Sequence, residues 1–256
     1  MADLLGFSKV VAEHSLDNAI GCFREFCNQT KSSTGARSST TTRPKISFMS
    51  DSAFIYIDWK DRQNFDKSIH TKLMITQLSN IMLNSIHGLS RGDSYHLVPM
   101  RASFSFDEYL GGENFPVCIN VSCGELETIP FGVVGKAVVR AHDWEKKQKW
   151  LGASFTPETY EYMNSNMRGI VEELKKDNLI VEYDVPVECK GKKKKVSSYA
   201  VNFNYEDRFD GLYQSLDEKE REHTAKNNTS ISAKYRATKD FLVYCRDNDL
   251  VRRKNV

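Results

Sequence analysis

The chain has 256 residues, with 36 Lys and Arg against 34 Asp and Glu, a formal charge of +2, and 40% of its residues are hydrophobic. These values describe a folded chain with a core of ordinary size and exclude a disordered polyelectrolyte. They also supply no global electrostatic drive toward nucleic acid.

In chain order, Leu4 to Val11 leads into a helical pattern, with Val10, Val11, His14, Leu16, Ile20, Phe23 and Phe26 at helical spacing. The Ser- and Thr-rich stretch 28–43, closed by Pro44, predicts a loop. Residues 45–59 predict a hairpin, with Ile46, Phe48 and the run Ala53-Phe54-Ile55-Tyr56-Ile57 on either side of a turn at Met49-Ser50-Asp51-Ser52. An amphipathic helix is predicted over 68–86 from Ile69, Leu73, Ile75, Leu78, Ile81, Met82 and Ile86, stopped at His87-Gly88. Strands follow over 98–106 and 115–121. Residues 132–149 read as a loop entering a helix, with Val133, Ala137, Ala141, Trp144 and Glu145 at helical spacing. Thr156-Pro157-Glu158 sets a capping residue before a Pro at the first helical position. A last antiparallel pair, 179–187 and 198–203, is joined by a basic loop over 189–195, and a charged helical tail runs from about 208 to 253. The order predicts an α+β fold on one mixed or antiparallel sheet flanked by helices. It divides into a body over 1–204 and a helical C-terminal extension over 205–256.

Six cysteines are present, without a C-x-x-C pair. Cys22/Cys27 and Cys118/Cys123 are spaced too widely for the common zinc knuckle, so reduced, buried thiols are expected. Asp3 stands where a leader would begin, and no run approaches the ~20 apolar residues of a membrane span, so a cytoplasmic protein with no membrane partner is expected.

Three patterns carry chemistry. In Asp3-Leu4-Leu5-Gly6-Phe7-Ser8 an acidic residue precedes a tight turn into a helix, where the N–H groups of Gly6, Phe7 and Ser8 would cradle phosphate oxygens. A carboxylate beside such a cradle repels phosphate unless a divalent cation intervenes, although an acidic first turn also serves as a simple cap. Asp51 at a hairpin tip can present a carboxylate, or be an ordinary turn residue. Arg101 in an apolar strand needs a partner if buried, and phosphate is a good one; the lysines of 190–195 fit phosphate equally, or a solvated hairpin tip.

Taken together, the patterns resemble the class III nucleotidyl cyclases over about residues 3–203, with a ferredoxin-like core. Asp3-Leu4-Leu5-Gly6-Phe7-Ser8 and Phe48-Met49-Ser50-Asp51-Ser52 look like that family's two metal motifs. Met100-Arg101-Ala102-Ser103-Phe104 is similar to its phosphate-contacting strand. The segment from Gly135 to Glu145 matches the framework of its transition-state helix, and Lys190-Gly191-Lys192 looks like its late phosphate-binding loop. The resemblance implies closure of a nucleoside triphosphate to a 3′,5′-cyclic monophosphate with release of pyrophosphate. Asp3, Asp51 and the Leu4 carbonyl would hold two Mg²⁺ or Mn²⁺ ions, and Arg101 and Lys192 would neutralise pyrophosphate. It also implies a head-to-tail homodimer in which Asp3, Asp51 and Arg101 come from one subunit and Lys192 from the other.

The departures are specific. The family's transition-state Asn and Arg fall at Val139 and Asp143, leaving Arg140 or Lys136 as stand-ins. The adenine-reading lysine falls at Ser47, and its partner position near Gly132. With both purine readers absent, the chain resembles most the pyrimidine cyclases of bacterial Pycsar anti-phage systems, whose cyclic product activates a separate effector. UTP is the expected substrate on overall similarity, with CTP, a purine triphosphate, or nucleotide binding without turnover as alternatives. No nucleic-acid partner is expected, because the basic run lacks an aromatic stacking platform beyond Tyr199. With only Met1 and Ala2 ahead of Asp3, the first strand is expected to be very short, unless the N-terminus is trimmed.

Overall fold

The computed structural model describes residues 2–4, 21, 45–49, 52–56, 67–88, 100–106, 110–111, 116–120, 126–130 and 133–252. Apart from residue 21, which is helical, the expected helix around 10–26 lies outside the described residues, as do the loop 28–43 and Gly6, Phe7, Ser8, Asp51 and Gly132. In chain order the elements are β1 (Ala2–Leu4), β2 (Lys45–Met49), β3 (Ser52–Tyr56), α1 (Lys67–Gly88), β4 (Met100–Phe104), β5 (Leu110–Gly111), β6 (Pro116–Asn120), β7 (Leu126–Pro130) and β8 (Val133–Val134). They continue with α2 (Lys136–Lys147), β9 (Ala153–Phe155), α3 (Pro157–Asn166), α4 (Arg168–Lys176), β10 (Ile180–Cys189), β11 (Lys192–Val201), a 3₁₀ turn (Glu206–Arg208), α5 (Phe209–Ala225) and α6 (Thr229–Asp247).

One seven-stranded sheet organises these elements, in the order β10-β11-β9-β4-β1-β3-β2. Every neighbouring pair is antiparallel except β4 with β9, which makes the sheet mixed. The α+β class read from the sequence is therefore the observed one. Two small ribbons, β5 with β8 and β6 with β7, stand apart from it. Strand β9 was not among the expected elements. Its three residues are all buried and show no alternation that marks a half-exposed strand.

Local chemistry explains the well-placed helices. Thr156 caps α3 by accepting a hydrogen bond from the Thr159 N–H, with Pro157 at the first helical position. Gly135 precedes α2 at φ 144°, a backbone geometry that favours glycine. In α1 the expected Ile75, Leu78, Ile81, Met82 and Ile86 are all buried, but Ile69 is half exposed. Burial extends around the helix to Gln77, Ser79 and Ser85, and the two serine hydroxyls are used: Ser79 donates to the Asn202 carbonyl, and Ser85 accepts from the Met100 N–H.

Two expectations about the C-terminal third are corrected. The basic segment is not a loop: Lys192, Lys193, Lys194 and Lys195 are the exposed first residues of β11, in register with Cys189, Glu188, Val187 and Pro186. Only Lys190 and Gly191 form the turn, at φ 50° and 74°, the pair of positive values that a tight hairpin of right-handed twist requires. The tail is not one helix but two, packed antiparallel around a turn at 226–228. Nor are its charges simply solvated, because Lys239 of α6 is mostly buried between Asp217 and Glu220 of α5.

The helical pair completes the core. Phe241 packs edge-on to Trp150 at 5.0 Å between ring centroids and tilted against Phe203 at 5.7 Å, and the Leu151 N–H donates to Thr238 Oγ1. Trp150 lies so close over Gly152 that a Cβ there would sit 2.6 Å from its indole. Among the described residues no helix is long and apolar enough to cross a membrane. Cys245 is buried, which raises its thiol pKa well above the ordinary value. Among the described residues Cys189 and Cys245 are unbridged, Cys189 half-buried and Cys245 buried.

Candidate active site

The site is organised by β1, which lies between β3 and β4. Asp3 is the register partner of Ser52 on one side and of Arg101 on the other. Partners in such antiparallel ladders have Cα atoms about 4.5–5.5 Å apart. Ser52 directly follows Asp51 in the sequence and is the register partner of Met49, the last pair of the β2–β3 ladder. Leu4 pairs with Met100, and Ser47 pairs with Phe54 near the sheet's far edge. For Asp3, Leu4 and Ser47 the description is of backbone. Three of the sequence motifs, read 50 to 100 residues apart, thus converge at one end of three adjacent strands.

Arg101 does not wait for a phosphate to balance its charge. Its side chain is 13% exposed and its Nε pairs with a carboxylate oxygen of Glu145, itself 1% exposed, while Nη1 donates to the Gln148 carbonyl at 3.3 Å. The partner expected from the sequence was substrate; the structure supplies a protein carboxylate first. A guanidinium has five N–H donors, so these two contacts leave it able to take a further oxygen.

Around this pair runs a polar network within the core. Gln148 is fully buried. Its Nε2 donates to the Ala102 carbonyl at 2.9 Å, and its Oε1 accepts from Trp150 Nε1 at 2.7 Å and from Ser154 Oγ at 3.0 Å. Ser154 Oγ also accepts from Trp144 Nε1 at 2.9 Å. The backbone bridges Gln148 to Val187, the Lys149 N–H donates to the Pro186 carbonyl, and Lys149 pairs with Glu188 at 3.3 Å. One short segment after α2 therefore touches both β4 and the arm that carries the lysines.

The remaining candidates separate. Lys192 is exposed beside the β10–β11 turn, with β9 and β4 between its strand and β1 in the sheet order. On α2, Ala141, Trp144 and Glu145 face inward, Arg140 is half-buried, and Lys136 is exposed. Val139 is 58% exposed, and Asp143 has 60% of its side chain exposed. Asp51, Gly6, Phe7 and Ser8 lie outside the described residues. Among those described, no group of three or more His, Cys, Asp and Glu is placed to hold a metal ion.

Two residues of this site escaped the sequence reading in their roles. Glu145 was visible as an acid in line with the buried Ala141 and Trp144, a signal that it needed a cation. Gln148 carried no signal, since nothing local marks a glutamine as buried. Compared with known proteins, the chain matches no protein-family model and no curated sequence.

Proposed function

We propose that the protein is a nucleotidyl cyclase that closes UTP to 3′,5′-cyclic UMP and releases pyrophosphate, acting as a homodimer with shared active sites. The observation that carries this reading is the register that sets Asp3 between Arg101 and Ser52, the neighbour of Asp51. Support comes also from the order β4-β1-β3-β2, antiparallel throughout, with α1 joining β3 to β4. That is the pattern of a ferredoxin-like split sheet, as the class III resemblance implies.

Asp3, Asp51 and the Leu4 carbonyl make a hard-oxygen donor set that fits Mg²⁺ or Mn²⁺. When bound, such ions lower the pKa of the ribose 3′-hydroxyl and offset charge on the reacting phosphates. The chain's own groups do the rest. The N–H groups of Gly6, Phe7 and Ser8 would cradle phosphate oxygens, as the motif implies, and Arg101, paired with Glu145, meets the charge that builds on pyrophosphate. Lys192 of the partner subunit adds a second cation on its projecting arm. The 3′-oxygen bonds to the α-phosphorus, its proton leaves to solvent, and the bond from phosphorus to the bridging oxygen of pyrophosphate breaks. Ser47, where a purine cyclase carries its adenine-reading lysine, leaves the base pocket to a pyrimidine. The cyclic product would be read by a separate effector in defence against phage.

A second reading, a nucleotide-binding regulator without turnover, is favoured by one observation: Val139 and Asp143, at the family's transition-state positions, are exposed and supply no donor suited to a phosphorane. Incubating the protein with each of the four NTPs and Mn²⁺ and resolving products separates the readings. Cyclic UMP should dominate, and Asp51→Ala should abolish it while leaving the thermal melt unchanged. Cyclic CMP would move the base assignment, a cyclic purine product would overturn it, and binding without pyrophosphate release would favour the regulator.

A further inference from the structure

Glu145 pairs with Arg101 from a helix already tied to the sheet, by Ser103 Oγ donating to the Ala141 carbonyl and Trp144 Nε1 donating to Ser154 Oγ, and its carboxylate meets the guanidinium at Nε. Gln148 supplies the contact at Nη1. Its side-chain amide is bonded to the carbonyl of Ala102, the residue next to Arg101, and its own backbone carbonyl accepts from Arg101 Nη1. Both acceptor bonds to its Oε1 come from groups in the core, Trp150 Nε1 and Ser154 Oγ, which fix the amide's orientation. Ser154 belongs to β9, the strand paired with β4 on the side opposite β1, and is the register partner of Ser103. The glutamine therefore joins α2, β4 and β9 at the height of the Asp3–Arg101 pair. Through its backbone bridge to Val187 it also joins the root of the lysine-bearing hairpin.

We propose that Gln148 is a positioning residue for triphosphate recognition: it holds Arg101 at the β1–β4 junction where a phosphate oxygen is met, and does so through Arg101 and not by contact with the nucleotide. The inference rests on the nucleotide-binding reading above. Its chemical logic is that of an outer-shell partner. Five N–H donors give a guanidinium its fork geometry, and the fork is useful only if its plane is held. The group that meets Arg101 Nη1 is the backbone carbonyl of Gln148, and a buried side-chain amide bonded at both ends is suited to holding that carbonyl in place, so that the fork is met at Nη1 as well as at Nε.

A double-mutant cycle tests this, with Mn²⁺–UTP as titrant, the other three NTPs run in parallel, and binding read by calorimetry so that turnover is not needed. Gln148→Met should weaken binding by about 10-fold or more, the effect typical of outer-shell partners. In an Arg101→Lys background the same change should cost less than about 2-fold, because there is no longer a fork to hold. Each variant should keep a cooperative melt and wild-type far-ultraviolet circular dichroism, which separates positioning from general damage to the core. If Gln148→Met does not fold, the cycle is run with Gln148→Glu, which keeps an acceptor for Trp150 and Ser154 but places a carboxylate against the Ala102 carbonyl. Equal losses of affinity in both backgrounds would overturn the positioning role while leaving the nucleotide reading intact. Wild-type protein that binds none of the four NTPs would overturn both together.

Discussion

Arg101 and Glu145 face one another with little access to water, and that changes what a mutation at either would report. Removing one member of a buried ion pair strands the other, at a cost of about 3–5 kcal/mol. Arg101→Ala should therefore lower the urea midpoint sharply, and joint replacement by Met at positions 101 and 145 should recover most of it. A loss of activity in Arg101→Ala by itself would say little about phosphate, which is why the binding cycle uses Arg101→Lys. Gly152 is a second sensitive position. A methyl group there would meet the Trp150 ring at 2.6 Å, so Gly152→Ala should push the indole off Gln148 and cut the melting temperature. At this scale the sequence made Arg101 legible as a charge in an apolar strand. It could not name the partner, because the pairing joins positions on different elements and depends on how α2 lies across the sheet.

The α5–α6 pair is crossed by ion pairs as well as apolar contacts, with Lys239 between Asp217 and Glu220 and Arg236 on Glu220. Within α5 and its C-cap, hydrogen bonds from Lys219 and Lys226 push the Glu222 carboxyl down to about 2. Asp217 is held below its ordinary value by the hydrogen bond from Lys239; burial pushes Glu220 the other way, but Lys239 and Arg236 together outweigh it and hold it below as well. A carboxyl whose folded pKa is depressed adds stability in full above its unfolded value, about 4, and loses it as the pH falls toward the folded one. The melting temperature should therefore decline between pH 5 and pH 2. In Lys239→Met the melt should start lower at pH 7 and decline less on acidification, as followed by far-ultraviolet circular dichroism. Both effects should weaken in high salt where the pairs are exposed. These elements were partly legible: charge density and periodicity announced helix, while the break at 226–228 and the burial of Lys239 were not, since a helix pattern does not say when the chain turns back on itself. The lysine arm was misread for a related reason. Consecutive lysines look like loop, but a strand with both faces in water tolerates them.

Across the molecule, the helical pair is bound into the same core as the sheet. Leu212, Leu216, Tyr235, Phe241, Leu242 and Cys245 are buried in one cluster with Trp150, Phe203 and the strands. Each large apolar side chain so buried contributes about 1.5–3 kcal/mol, so removing several rivals the whole stability of a domain, about 5–15 kcal/mol. A chain ending at Asn204 should accordingly be insoluble or bind hydrophobic dye without a cooperative melt, whereas a separable extension would leave a folded body. Arg252 makes the same point at the far end: its Nη1 donates to Ser79 of α1 at 2.6 Å, and its guanidinium stacks over Tyr205.

The amino-acid sequence by itself determined the α+β class, the capped start of α3 and the buried stripe of α1, because these follow from residue type and spacing along the chain, while the candidates Asp3, Asp51, Arg101 and Lys192 were brought together by the family resemblance. Only the tertiary structure decided that Asp3 and Arg101 are register neighbours, that Arg101 is already paired with Glu145, and that Gln148 ties α2 to β4 and β9. The reason is physical. Periodicity reports which face of an element leaves water, but a buried polar group finds its partner across the fold, and that choice is made when the elements pack.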